Sequence, residues 1–397
     1  MNNENENITC DNSPKEKSHG ILFTASIVIF VLLTAGIGVL SLIAPDRAFS
    51  ASENRSLAKA PVLSIENLFN GSFMSELEDY LSDQFPLRDE AIVLKTSFDR
   101  TTGKREENGV YIGENGFLFD SQTEPDYDDI RIKTELINDF AKKYKGTEQL
   151  VAIVPESSYF YSEKLPYGLK LSDRARQTQI IYSSISVKNI RTLDTVTPLR
   201  ELKNEGIQLF YKTDHHWTTE AAYRVFLSIA EAWKLSEDVE YDFYKVSDTF
   251  EGTLSSKAGV HGIYDTVSVC IPRAETESYI VNYESLGKKT ASLFFEEKLK
   301  EKNCYEVFLG GNYDKVSIET TAVNEKSLLI IKDSFANCMI PMLTPHFSQI
   351  VIADPRYMTE GIDALMSEYN FTHVLFLYST NTFLQDSTII DVMSVTE

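Results

Sequence analysis

The chain is short of positive charge. Its 397 residues hold 38 Lys and Arg against 59 Asp and Glu, a formal net charge of −21. Phosphate backbones are gripped by basic patches, so this deficit excludes nucleic acid as a partner. Cysteine is scarce as well. Cys10, Cys270, Cys304 and Cys338 are the only four, and none has the spacing of a zinc motif. Cys10 lies ahead of a long apolar run. The other three read as mostly free thiols, with a Cys270–Cys304 bridge as the one alternative. No internal repeat is visible. Histidine and tryptophan are rare, at six and two. Two of those histidines and one tryptophan nevertheless stand in a row in "YKTDHHWTTEAAY", residues 211–223. Such a doublet suits a metal site, a catalytic acid–base group or a packed structural corner.

What is present is enough to fold. Hydrophobic residues make up 43% and aromatics 11% of the chain, which supports one large domain or two ordinary ones. Residues 21–44, "ILFTASIVIFVLLTAGIGVLSLIA", carry no charge. A helix needs about 20 apolar residues to cross a bilayer. The run exceeds the apolar region of a cleaved signal peptide, and Ala44–Pro45 is a poor cleavage context. It reads as an uncleaved anchor. Lys15 and Lys17 before it roughly balance Arg47, Arg55 and Lys59 after it. The short polar start (residues 1–20) and the long remainder place the tail in the cytoplasm and the large domain outside the cell membrane.

Residues 45–105 read as an extended stalk followed by two short helices that meet at "QFPLR". From residue 106 to 397 the pattern is that of an α/β domain. "GVYIGENGFLFD" is a hairpin around Asn115-Gly116. Strands are expected at "QLVAIVP", "VKNIRTLDT", "IQLFY", "SLLIIK", "QIVIAD" and "HVLFLYS". Helices are expected at "PLRELKNEG", after Ser334, and at "TEGIDALMSEY". "TTEAAYRVFLSIAEAWKL" forms an amphipathic helix capped by Thr218. This alternation predicts a mostly parallel sheet with helices on both faces. Residues 236–325 read as a β-rich insertion, with a helical stretch at "SLFFEEKLKEK".

In such sheets, ligands bind beyond the carboxyl ends of the strands. Two polar clusters fall at expected strand ends. One is Asp214-His215-His216-Trp217, after "IQLFY". The other is Lys332-Asp333-Ser334, after "SLLIIK". A serine on a strand-to-helix turn exposes its Oγ and can offer its backbone N–H to an oxyanion. It needs a base, and the base needs a group that fixes its tautomer. His216 and Asp214 fill those roles if the two strand ends lie side by side in one sheet. In an extended segment, residues two apart point to the same side. That selects His216 as the base, with His215 facing away as a neighbour or substrate contact.

The stretches "TDHHWT", "DSFAN", "ADPRYM", "SENRSLAKAP" and "DQFPLRD" together resemble the DHHW family of bacterial surface proteins. That family is similar to the SGNH-hydrolase-like domain of the alginate O-acetyltransferases. The resemblance implies an SGNH-hydrolase-like fold, with Asp214, His216 and Ser334 as the catalytic triad and Arg356 near the site. It departs in one place: Lys332 stands where Gly-Asp-Ser would have its glycine. Its relatives work beside a multi-spanning membrane acyltransferase, which the resemblance implies as a partner. The activity it implies is acetyl transfer by a serine enzyme onto a cell-surface glycan, with no cofactor and no metal.

Blander readings stand beside these. Ser334 can be an N-cap, Asp214 a turn residue and His216 a packed ring. Trp217 reads as a wall with sugar stacking as the alternative. Asn381 and Tyr378 follow a strand end and are weaker site candidates. His261 is a candidate to line the cleft, while His346 and His373 read as structural. A manganese phosphoesterase would need further aspartate motifs, and Asp194, Asp333 and Asp354 sit in unmatched contexts. The rival functions are a carbohydrate esterase, or a non-catalytic glycan-binding or scaffold protein of an acylation complex.

Overall fold

A computed structural model describes residues 14–50, 55–122, 124–169, 171–273 and 278–395. Cys10 and residues 52–54 of "SENRSLAKAP" lie outside them. The described residues up to 92 form one compact unit and those from 93 onward a second.

In the first unit a helix runs over Pro14–Ile43. Within it, Phe23–Ser41 is long and apolar enough to cross a membrane. A short antiparallel pair follows, β1 (Phe49–Ser50) and β2 (Arg55–Ser56). Helices Ile65–Phe69 and Ser72–Asp83 come next. The helix Arg88–Thr101 begins just past "QFPL", where Pro86 and the positive φ of Leu87 break the helical run. Gln84 and Asp83 tie this region to the preceding stalk: the Gln84 side chain bonds to both Arg47 and Ala58, and Asp83 accepts from Ala58 N–H at 2.8 Å.

The second unit opens with a three-stranded antiparallel sheet, β3 (Glu106–Glu107), β4 (Val110–Ile112) and β5 (Leu118–Asp120). Asn115 and Gly116 both take positive φ in its turn, as an Asn-Gly hairpin requires. The remaining strands, in chain order, are β6 (Glu148–Val154), β7 (Ile190–Thr192), β8 (Tyr241–Phe250), β9 (Asp265–Pro272), β10 (Tyr279–Tyr283), β11 (Lys288–Thr290), β12 (Lys315–Thr320), β13 (Ser327–Lys332), β14 (Gln349–Ala353) and β15 (His373–Ser379). Eight of them make one sheet in the order β11-β10-β12-β14-β13-β15-β6-β7. From β14 to β7 the neighbours are parallel, and β12, β10 and β11 extend the edge in antiparallel fashion.

Residue alternation sorts the core into two layers. Leu150, Ala152, Leu328, Ile330, Leu375 and Leu377 face one side, where the helix Thr219–Trp233 packs. Val151, Ile153, Leu329, Ile331, Val374 and Phe376 face the other, against the helices Tyr127–Lys143 and Arg174–Ser184. With both faces covered, β13 is buried along its whole length. Thr218 caps its helix through the Ala221 N–H.

Several sequence expectations are corrected. "IQLFY" is not a strand of the sheet; it makes only an isolated bridge, Phe210 to Trp217. Residues 236–325 are β-rich, as expected: β8 and β9 form a two-stranded pair, and β10, β11 and β12 join the edge of the main sheet. "SLFFEEKLKEK" contributes a 3-10 turn, Glu296–Lys300, in place of a helix. Cys270, Cys304 and Cys338 are all buried and free, so no Cys270–Cys304 bridge exists.

His346 and His373 are structural, as read. The His346 ring lies 2.9 Å from the Tyr241 hydroxyl, and His373 packs edge-on between Trp233 and Phe347. Burial pushes both imidazoles down to about 4, as it does that of His216. Below the ordinary value of 6.5, the unfolded chain takes up protons that these folded rings refuse. Stability therefore falls as pH drops from 6.5 toward 4. Glu156, raised by burial, works in the opposite direction but is a single group. Calorimetry should find the melting temperature of the second unit several degrees lower at pH 5 than at pH 7; equal values would refute this.

Candidate active site

The site forms where the loop carrying the histidine doublet meets the end of β13. That loop is built as a tight hairpin. Thr218 N–H donates to Leu209 O at 2.8 Å and Tyr211 N–H to His216 O at 3.2 Å. Its base is fastened by Asp265, at the start of β9, whose carboxylate accepts from Lys212 N, Thr213 N and Thr213 Oγ1 at 2.8–2.9 Å. The apolar run Leu209-Phe210-Tyr211 is buried as core, which explains its strand-like sequence without strand pairing.

Asp214 and His216 meet through a turn and not through an extended segment. Asp214 Oδ1 accepts from the His216 backbone N–H at 2.9 Å and lies 2.5 Å from His216 Nδ1. Its Oδ2 accepts from Thr253 N and Thr253 Oγ1, both at 2.8 Å. Burial alone would raise this carboxyl, but the adjacent His215 and His216 and these hydrogen bonds hold it well below the usual range. It is therefore an acceptor on both oxygens. The proton between it and His216 sits on Nδ1, which leaves the Nε2 lone pair free. That nitrogen is 2.8 Å from Ser334 Oγ. Burial keeps the imidazole neutral, with its pKa lowered to about 4. The arrangement can accept a proton from a serine hydroxyl at neutral pH.

Two neighbours fix the imidazole. Tyr305 stacks on it with ring centres 3.8 Å apart and planes 13° apart, and its hydroxyl donates to Ser334 O at 3.0 Å. Gly252 lets Thr253 come close, since a Cβ there would lie 2.3 Å from Asp214 Cβ.

Ser334 begins a 3-10 turn, Ser334–Cys338, which is followed by the short helix Ile340–Leu343. Asp333 holds that turn: Oδ1 accepts from Phe335 N at 2.9 Å, and Oδ2 from Ser379 N and Oγ at 2.9 and 2.8 Å. The Ser334 turn is thus pinned to the end of β15, the next strand in the sheet. Lys332, at the glycine position of Gly-Asp-Ser, needs no positive φ. Its buried side chain turns to Asn337, Asp354 and Asn312 at 2.8, 3.2 and 3.3 Å.

The remaining candidates fall as follows. His215 packs on His216, with ring centres 3.9 Å apart and planes tilted by 36°, and its Nδ1 is 2.9 Å from Thr253 Oγ1. Because the Thr253 hydroxyl proton goes to Asp214, His215 must donate through Nδ1. Trp217 is fully buried and donates to Phe335 O at 2.8 Å. It braces the turn that holds Ser334 and offers no face to a sugar. Arg356 does not reach Ser334 by any described hydrogen bond. Its Nε and Nη2 grip Asp354 at 2.8 and 2.7 Å, and Asp354 in turn holds Lys332. Asn381 lines a cavity together with His215 and Phe335. Tyr378 is buried in the opposite core layer. His261 bonds to Glu251 at 3.1 Å.

Asp214, His215 and His216 present ligand atoms within 4.8 Å of one another. Their donor set fits a metal poorly. The short Asp214–His216 contact uses Nδ1 as a proton donor, and Asp214 already accepts from four groups. Thr253, Gly252, Tyr305 and Asp265 were not singled out from sequence. Each acts across a long chain separation with no motif around it.

The family model described as "SGNH hydrolase-like domain, acetyltransferase AlgX" matches residues 110–298. That span includes Asp214 and His216 and stops before Ser334. The probable alginate O-acetylase AlgJ of Pseudomonas fluorescens is 27% identical over 202 residues, covering 49% of this chain and 48% of the relative. The corresponding protein of Azotobacter vinelandii is 25% identical over 179 residues, 43% of this chain and 42% of the relative. The chain thus spans about half the length of the curated relatives it matches. In structure it resembles a DHHW family protein from Eubacterium siraeum, with a TM-score of 0.61, 21% identity, and coverage of 74% of this chain and 98% of the other. It also resembles Bacillus cereus PatB1 carrying a sulfonyl adduct, with a TM-score of 0.57, 20% identity, and coverage of 70% and 97%. The chain therefore has an SGNH-hydrolase-like α/β fold, is similar in structure to a DHHW family protein, and is homologous over about half its length to the alginate O-acetylases AlgJ.

Proposed function

We propose that this protein is a membrane-anchored, extracytoplasmic serine O-acyltransferase that places an acetyl group on a cell-surface glycan. The observation that carries the reading is the chain of contacts Ser334 Oγ–His216 Nε2–Asp214, at 2.8 and 2.5 Å. A non-catalytic scaffold has no need of that alignment. The homology to O-acetylases supports acetyl as the group moved.

The steps follow from the geometry. Ser334 Oγ attacks the acyl carbonyl as its proton passes to His216 Nε2. Asp214 stabilises the imidazolium that forms. The oxyanion is held by the Ser334 backbone N–H, an orphan donor at the first position of its turn. The tetrahedral species collapses, and the leaving group takes the proton from His216. A sugar hydroxyl then enters, gives its proton to His216 and attacks acetyl-Ser334. Collapse of that second adduct releases the O-acetyl sugar and returns the proton to Ser334. Water in place of the sugar makes the same site an esterase. Acyl groups reach the site from a multi-spanning membrane acyltransferase, and the helix Pro14–Ile43 anchors the chain beside it.

The test is mass spectrometry of the full chain, purified in detergent, after brief exposure to an activated acetyl ester. The expected product carries one acetyl group on the peptide that contains Ser334, and Ser334→Ala protein carries none. Wild-type protein that stays unmodified, or is acetylated only on lysines, would count against the reading.

A further inference from the structure

Lys332 is a buried cation beside the triad that the proposed steps do not use. It is the last residue of β13 and stands where Gly-Asp-Ser has its glycine. Its side chain is 1% exposed. We infer that Lys332 is a positioning residue for acyl transfer: its ammonium group locks the Ser334 turn to the segment that carries Tyr305, and so sets the approach of Ser334 to His216. The inference rests on the acyltransfer reading and adds to it a residue outside the triad.

The contacts of the ammonium group are the first argument. Nζ donates to Asn337 Oδ1 at 2.8 Å, to Asp354 Oδ2 at 3.2 Å and to Asn312 Oδ1 at 3.3 Å. An ammonium group has three protons to donate, so this set is complete. Each partner belongs to a different segment. Asn337 lies in the 3-10 turn Ser334–Cys338. Asp354 follows β14. Asn312 lies between the 3-10 turn Cys304–Val307 and β12. Asn337 Nδ2 also donates to Asn312 Oδ1 at 3.1 Å, which ties those two segments directly.

The second argument is what the segments carry. The turn that ends near Asn337 begins with Ser334. The turn Cys304–Val307 holds Tyr305, whose ring lies on His216 and whose hydroxyl donates to Ser334 O at 3.0 Å. Asp333 fastens the start of the Ser334 turn to β15, and Lys332 fastens its far end. With one end released the turn can pivot. A shift of about 1 Å at Ser334 Oγ takes its contact with His216 out of hydrogen-bond range, and a misplacement of that size costs about 10² in rate.

The cost of the charge is the third. Burying an ammonium group is expensive, and an apolar side chain of similar volume is often as stable or more so. Asp354 does not require the lysine. Arg356 already meets both of its oxygens, with Nε on Oδ1 at 2.8 Å and Nη2 on Oδ2 at 2.7 Å. The shortest bond of Lys332 goes instead to the turn of Ser334. Stability alone would be served by an apolar residue, as at Leu328 and Ile330, which alternate with it along β13.

The test uses the full chain in detergent with p-nitrophenyl acetate, and mass spectrometry follows acetylation of Ser334 over time. Lys332→Met keeps the volume and removes the donors. It should slow the labelling about 10²-fold. KM for the ester should stay within about twofold, and the final labelled fraction should match wild type. That final fraction counts folded molecules, so a residue serving stability alone would lower the fraction and leave the rate. Asn337→Ala, which keeps the lysine, should slow labelling about tenfold and carries the test if Lys332→Met does not fold. The double variant should lose far less than the product of the two effects. Labelling within about threefold of the wild-type rate in the variants that fold, a loss that follows only the folded fraction, or effects that multiply would overturn the inference and leave the acyltransfer reading standing. Wild-type protein that is not acetylated would end that reading. A crystal structure of Lys332→Met then decides the positioning by itself: Ser334 Oγ should lie beyond about 3.5 Å from His216 Nε2, and an unchanged contact of 2.8 Å would end the inference.

Discussion

Ser334→Ala and His216→Ala should each lower turnover of an acetyl ester by roughly 10⁴–10⁶, whereas His215→Ala should cost less than about 10². The two histidines are neighbours in sequence with rings in contact, yet their bonds differ. His216 touches both Asp214 and Ser334 through its two nitrogens. His215 reaches the network only through Thr253 Oγ1. Removing His216 leaves the Ser334 hydroxyl without a base, while removing His215 leaves the proton path whole. The check is kcat/KM with p-nitrophenyl acetate for the full chain, with circular dichroism to confirm folding. Equal losses from the two histidine variants, together with inhibition by a chelator, would restore the metal reading and end this one.

That asymmetry was legible in the sequence, though for a partly wrong reason. The D-x-H spacing was read as an extended segment with alternate residues on one side. In the structure the same two residues meet because Asp214 folds back on the backbone N–H of residue 216. An Asp two residues before a backbone donor favours that turn as readily as a strand favours alternation, and the spacing alone does not distinguish them. "IQLFY" misled in the same way. Leu209, Phe210 and Tyr211 report burial, and burial is what they have, while Ile207 is exposed; the run belongs to a hairpin loop packed on the core and forms no part of the sheet. The motifs did not need adjacent strand ends to meet. β13, β14 and β15 were readable because a strand buried on both faces must be apolar throughout, and few other structures demand that. The stretch that holds β10, β11 and β12 was legible as β-rich, but its mixed polar character did not show that these strands add an antiparallel edge to the main sheet. Tyr305, Thr253 and Asp265 were invisible for a plainer reason. Each acts only through contacts that the fold creates, so no local pattern marks them.

Gly252 makes that last point testable. Gly252→Ala should reduce kcat by about 10² or more with little effect on global folding, approaching the loss of roughly 10⁴ expected for Asp214→Asn. Its backbone has φ −81° and ψ −171°, which alanine adopts without strain, so conformational freedom is not what requires glycine here. The requirement is space. An added Cβ would lie 2.3 Å from Asp214 Cβ, 2.6 Å from Oδ2 and 2.8 Å from Cα. Backbone and side chain are both too near, so one strand of the contact must move. If Asp214 moves, it loses Thr253 N and Oγ1 on one oxygen and shifts against the His216 Nδ1 proton on the other. If the Gly252 segment moves, Thr253 leaves and Asp214 loses the same two donors. Either way the imidazole is no longer held in the tautomer that exposes Nε2 to Ser334. Asp214→Asn reaches that result by a different route, since an amide nitrogen facing Nδ1 favours the wrong tautomer. The two variants should therefore share a signature: kcat falls, KM for a small ester changes little, and the losses do not multiply when combined. A double variant that loses the product of the two single effects would mean that Gly252 acts independently of Asp214, and that the close approach serves packing alone.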